Sequence, residues 1–151
     1  MKKPILTLDL ARQAPHSPRE RIDGFCIAGR AVDKCRATTA GTQGEYHFNC
    51  PLDNMLFTFK GITAEEFKTV AQGAKDYKEI GVWLLAHGKA RTPAEISAWS
   101  DDMEAISPLK NPEKRTYFAQ NCRKIGLDPE TTSMFDLLEA DDRISFGGEP
   151  V

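Results

Sequence analysis

Four short polar signatures punctuate this chain and set most of what it can fold into. They are Ser17–Glu20, Thr63–Glu66, Asp76–Glu79 and Thr92–Glu95. In each, a short oxygen side chain can accept from an orphan amide three residues on, and the glutamate can reach back. Pro18, Pro93 and Pro112 stand at first-turn positions, where a missing amide costs nothing. Gly88 and Gly126 stand where helices should stop, because glycine takes the left-handed cap without strain. The spacing predicts helices over about 18–39, 64–74, 77–87, 93–105, 112–125 and 133–140. Each later helix carries an apolar stripe, such as Ile96, Trp99, Met103 and Ile106, as core packing requires.

Residues 45–60 carry a different pattern. Tyr46, Phe48 and Cys50 alternate with Glu45, His47 and Asn49, and Met55, Phe57 and Phe59 alternate with Leu56, Thr58 and Lys60. Period-two alternation on both sides of Pro51-Leu52-Asp53-Asn54 predicts a β-hairpin. The expected fold is therefore α+β, a mostly helical single domain over residues 1–151 with about six helices and one hairpin near 45–60. Residues 147–151 are expected to form a loose tail.

The chain has 151 residues, with 20 Lys+Arg against 22 Asp+Glu. This near balance excludes a strongly basic nucleic-acid binder, and the 40% apolar content excludes a disordered chain. Charge is unevenly placed. Residues 1–40 carry eight basic and four acidic groups, whereas 128–151 carry one basic and seven acidic. The acidic tail opposes phosphate attraction, so no nucleic-acid partner is expected. No apolar stretch approaches the roughly 20 residues of a bilayer span, so no membrane partner is expected. Pro4 and Asp9 interrupt the apolar run that a signal peptide would need. Cys26, Cys35, Cys50 and Cys122 form no CxxC pair. Together these features predict a cytoplasmic protein with reduced thiols.

The elements Ser17-Pro18-Arg19-Glu20-Arg21, Asp33-Lys34-Cys35-Arg36-Ala37 and Gly44-Glu45-Tyr46-His47-Phe48-Asn49-Cys50-Pro51-Leu52-Asp53 together resemble a bacterial family of domains of unknown function, number 5069. The resemblance implies a self-contained cytosolic bacterial domain. It implies no activity and no catalytic residue.

Candidate chemistry comes from the first long helix. Advancing 100° per residue from Ile22 places Asp33 at about 20° and Arg36 at about 320°, inside an apolar arc, with Arg30 at its edge near 80°. Asp33 and Arg36 are three residues apart, the spacing of neighbours on a helix face. Inward charges need partners. They form a structural salt bridge, or they line a cleft where Arg30 and Arg36 bind an anion and Asp33 orients Arg36. Arginine suits anions because its planar fork matches carboxylate or phosphate. On the predicted hairpin, Glu45 and His47 lie side by side and are the candidate acid/base pair. The run Glu45, His47, Cys50 and Asp53 lacks the paired spacing of a zinc site, so no metal is expected. No Walker loop or dinucleotide fingerprint occurs, and no cofactor is expected. The sequence thus favours a small anionic ligand held between the first long helix and the hairpin. The alternative is a helical protein-interaction module without catalysis.

Overall fold

The computed structural model describes residues 3–146, so the expected tail at 147–151 lies outside the described residues. The order is α1 (Ala28–Ala40), α2 (Pro51–Lys60), α3 (Ala64–Gly73), α4 (Tyr77–Ala86), α5 (Pro93–Ala105), a 3₁₀ turn (Pro108–Lys110), α6 (Arg115–Lys124) and α7 (Met134–Phe146). Among the described residues there is no sheet, and the hairpin expected at 45–60 is absent. The fold is all-helical rather than α+β.

The second half of the expected hairpin is α2. Cys50 caps it, Pro51 occupies its first turn, and the Cys50–Asp53 pair forms a reciprocal capping box. Gly61 closes it with φ 66° in the left-handed region, its N–H reaching the Phe57 and Thr58 carbonyls. Leu52, Leu56, Phe57 and Lys60 are buried at helical spacing. The period-two aromatics deceived because helical and alternating patterns overlap over so few residues. Phe48, on the approach to α2, packs against Phe57 and Phe67 with ring centroids 6.0 and 6.2 Å away.

The first long helix is also shorter than expected. α1 begins at Ala28, and Ile22–Phe25 form a tight turn instead. The Ile22 N–H donates to the Phe25 carbonyl at 3.0 Å, and the Phe25 N–H returns the bond at 2.9 Å. Asp23 and Gly24 have φ of 48° and 89°. Asp-Gly is the pair that accepts positive φ at both central positions of a primed turn. Ser100 of α5 fastens this turn, donating to the Gly24 carbonyl at 2.6 Å and accepting from the Cys26 N–H at 3.0 Å.

Of the other helix signals, Pro93 stands in the first turn of α5 as expected, whereas Pro112 lies in a turn three residues ahead of α6. Thr63–Glu66 and Thr92–Glu95 form complete capping boxes at the starts of α3 and α5. Asp76 caps α4, while the Glu79 carboxylate takes the Lys75 N–H, one residue earlier than the box predicts. α1 runs through the core: every residue from Ala28 to Cys35 is buried. Phe25, Ile27, Leu56, Phe67, Tyr77, Ile80 and Leu84 belong to the core around it. Among the described residues no helix is long and apolar enough to cross a membrane.

Candidate functional site

A helix buried over eight successive residues must still accommodate its charges. α1 carries Arg30, Asp33 and Lys34 at 3%, 0% and 3% exposure. Burial of a charge is tolerated only with a partner, and each of these has one from a different part of the chain. Arg30 reaches the Asp142 carboxylate of α7 through both terminal nitrogens, at 2.8 and 3.3 Å. Asp142 also accepts from the Tyr46 hydroxyl at 2.6 Å. Lys34 Nζ lies 3.0 Å from Asp53 Oδ1, an ion pair without hydrogen-bond alignment, and donates to Cys50 Sγ at 3.2 Å.

Asp33 and Arg36 do not pair with one another. Arg36 is half-buried and turns to the end of α3, where its Nη1 donates to the Ala71 carbonyl at 3.0 Å and approaches those of Ala74 and Gln72 at 3.4 and 3.5 Å. Its Nε is buried without a partner. The guanidinium thus serves the carbonyl end of a helix, where the macrodipole favours positive charge. Glu45 and His47 are exposed in the α1–α2 connection, not on a strand.

Asp33 points instead at a residue the sequence reading passed over. Its Oδ2 accepts from the His16 main-chain N–H at 2.8 Å and from His16 Nδ1 at 2.6 Å. Its Oδ1 accepts from the Tyr77 hydroxyl at the start of α4. Arg30 takes the other side of the same residue, donating from Nη1 to the His16 carbonyl at 3.3 Å. The Tyr77 ring meets the imidazole edge-on, 4.9 Å between centroids. His16 is therefore held by N–H, carbonyl and ring together, and the two α1 charges singled out from sequence, Arg30 and Asp33, do the holding.

The opposite ring nitrogen is free of this clamp. His16 Nε2 lies 3.4 Å from Lys3 Nζ and 3.5 Å from Glu20 Oε2. Beside it is a cavity of about 300 Å³ whose lining includes Lys3, Leu6, Leu8, Pro15, His16 and Tyr77. Backbone pairing places Lys3 there. The Tyr77 N–H donates to the Lys3 carbonyl at 3.2 Å, and the Ile5 N–H to that of Lys75 at 3.1 Å. A larger cavity of about 620 Å³ lies between the 3₁₀ turn and the start of α7, lined by Lys110, Arg115, Thr131 and Ser133 among others. Neither of its cationic residues is buried.

The electrostatics follow from these contacts. The hydrogen bond and charge of Asp33 raise the His16 pKa above 6.5, against burial and Lys3, which lower it. Burial, with Asp33 beside it, pushes the Tyr77 phenol well above its ordinary range, so it remains a donor. Burial also pushes the Cys26 and Cys35 thiols up to about 11. Among the described residues no three His, Cys, Asp or Glu side chains gather as a metal site would need.

A signal for His16 was present: it stands between Pro15 and Pro18, in a stretch with little conformational freedom. Lys3 and Tyr77 carried none, because only the tertiary fold brings residues 3, 16, 33 and 77 together.

The chain matches the model of a family described as a domain of unknown function, DUF5069, over residues 12–144. It belongs to that family. No curated protein matches it.

Proposed function

We propose that this protein binds a small anionic molecule in the cavity beside His16, with Lys3 and the imidazole as the two cationic contacts. The observation that carries this reading is the 3.4 Å approach of Lys3 Nζ to His16 Nε2 at the wall of a cavity. Asp33 favours the protonated imidazole, so two positive groups then face each other, and an anion bridging both from the cavity side relieves the repulsion. Glu20 neutralises part of that charge from the solvent side. Arg30 and Asp33 serve as positioning residues for His16 and not as ligand contacts. The apolar walls from Leu6, Leu8 and Pro15 suit a compact ligand with a short carbon skeleton. Four free cysteines fit a cytoplasmic, reducing setting.

The test is a titration of the full chain with small carboxylates and inorganic phosphate, followed by the backbone amide resonances of Leu6, Leu8 and Tyr77, which line the cavity. Saturable shifts that vanish in Lys3→Met and His16→Gln support the reading. Shifts that persist in a folded Lys3→Met, His16→Gln double variant reject it. A ligand at 100 times its Kd should add about 2.7 kcal/mol to unfolding.

A second reading, a helical interaction module, draws on Val82 and Leu85, which stand exposed on the outer face of α4. A folded Val82→Lys, Leu85→Lys variant with unchanged association behaviour would count against it.

A further inference from the structure

We infer that Cys50 is a peroxide-sensitive thiol whose oxidised sulfur is captured by the Lys34 amine, giving a reversible sulfur–nitrogen bond between α1 and the start of α2. Neither residue lines the cavity beside His16, so this chemistry is independent of the ligand reading. Three residues build the site. Lys34 is 3% exposed, and its Nζ donates to Cys50 Sγ at 3.2 Å. The same nitrogen lies 3.0 Å from Asp53 Oδ1. Asp53 is fully buried. Its Oδ2 accepts from the Asn49 and Cys50 N–H groups at 2.9 and 3.4 Å, while Oδ1 has no hydrogen-bond partner. Cys50 is half-exposed, and the other three thiols are buried. A buried amine, an acceptor for its proton and a thiol open to solvent therefore meet at one point.

An oxidised cysteine ordinarily joins a second thiol or a main-chain nitrogen. Cys50 is poorly placed for both. The nitrogen that follows it belongs to Pro51, which carries no hydrogen to lose. Burial pushes the Cys26 and Cys35 thiols up to about 11, so each holds little of the thiolate that attacks sulfur. Lys34 Nζ is already in contact. Its position also suits displacement at sulfur. Oxygen arrives on the solvent side of a half-exposed residue, and Nζ stands on the interior side. Nitrogen and departing oxygen then lie on opposite sides of the sulfur.

The two steps balance with hydrogen peroxide as the oxidant. Peroxide gives one oxygen to the Cys50 thiol: an S–O bond forms, the O–O bond breaks and water leaves. The sulfur is oxidised by two electrons to the sulfenic acid, and the peroxide is reduced. Lys34 then yields one ammonium proton to Asp53 Oδ1 and attacks the sulfur through Nζ. The S–N bond forms, the S–O bond breaks, and the hydroxyl leaves with a second Nζ proton as water. Asp53 ends protonated. A buried ion pair has become a neutral pair, which an interior of low dielectric favours. An added thiol reverses the bond by attacking the sulfur, and the amine takes one proton from that thiol and one from Asp53.

The experiment treats the full native chain with a small excess of hydrogen peroxide, alkylates it with N-ethylmaleimide in denaturant and reads tryptic peptides by mass. The expected product joins the peptides carrying Lys34 and Cys50 and is two hydrogen atoms lighter than their sum. Trypsin should spare the bond after Lys34, Cys35 should carry the maleimide, and dithiothreitol given before alkylation should leave no linked product. Lys34→Arg keeps a cation beside Asp53 but has no amine to bond. There the link should be lost, and Cys50 should remain a sulfenic acid that dimedone traps. The wild type unfolded in urea before peroxide should also give no link, which decides the matter even if the variant does not fold. Cleavage after Lys34 with Cys35 unalkylated reports a Cys35–Cys50 disulfide and overturns the inference. So does a native Cys50 that resists peroxide or that dimedone traps in full, and so does a link that survives urea or Lys34→Arg.

Discussion

Asp33 Oδ2 accepts two hydrogen bonds from the one residue His16, at 2.8 Å from the main-chain N–H and 2.6 Å from Nδ1. A single carboxylate so fixes both the backbone and the ring tautomer of its partner. Removing it strands the Tyr77 hydroxyl and both His16 donors in a buried setting. Asp33→Ala should cost about 3–5 kcal/mol, read from urea unfolding. Replacement of His16 by Gln should cost less, because Asp33 keeps the main-chain N–H and Tyr77.

The same pair gives a pH dependence with a definite sign. The hydrogen bond to Asp33 raises the folded pKa of His16 above the ordinary 6.5. The native state then binds more protons than the unfolded chain between those two values. The contribution is fully present below pH 6.5 and is lost as pH rises through the folded pKa. The groups facing the ring are Asp33, Glu20, Lys3 and Tyr77. Thermal unfolding in parallel pH series should show this slope in the wild type and its removal in His16→Gln.

Arg30 and Asp142 make a second buried pair, their side chains 4% and 10% exposed. Asp142→Ala leaves the guanidinium uncompensated and the Tyr46 hydroxyl unpartnered, at a cost of about 3–5 kcal/mol. Arg30→Met combined with Asp142→Leu should recover much of that loss. A double variant no more stable than Asp142→Ala would show that the ion pair itself, and not relief of a stranded charge, is what the fold needs.

Gly81 of α4 offers a steric test. A Cβ there would come within 2.7 Å of Asp23 Cγ and 2.9 Å of Ile22 Cγ2. Gly→Ala inside a helix ordinarily gains up to about 1 kcal/mol. Gly81→Ala should instead destabilise by about 1–3 kcal/mol, as overpacking does, and calorimetry separates the two signs.

Thiol reactivity should divide the cysteines. Cys26, Cys35 and Cys122 are buried, and Cys50 is half-exposed. Burial pushes the first two up to about 11, so little thiolate is present at neutral pH. A disulfide reagent should label Cys50 first in the native state, and Cys50→Ser should abolish the fast phase.

How much of this was legible in the sequence depends on range. Thr63–Glu66 and Thr92–Glu95 announced α3 and α5 because a capping box is complete within four residues. Ser17–Glu20 carried the same letters, yet the Ser17 hydroxyl donates to Glu139 at 2.6 Å, and α1 starts only after the Asp23-Gly24 turn. That turn was written in the sequence as plainly as any cap and was outweighed by the apolar arc running across it. The helix bearings still placed Asp33 inside correctly and gave Arg30 as marginal, though it is 3% exposed. What no local pattern held was the destination of each charge. The partners of Arg30 and Asp33 lie 112 and 17 residues away in the chain, and local periodicity carries no such information.

The three buried charges of α1 have a consequence for how this molecule comes apart. Their anchor points fall near the beginning, the middle and the far end of the chain: His16, Asp53 and Asp142. No terminal piece that includes His16 or Asp142 can peel off without stranding a charge in the interior. Partial opening is therefore penalised from either end, and the structure is built to melt in a single step, with α1 as the last element to meet water.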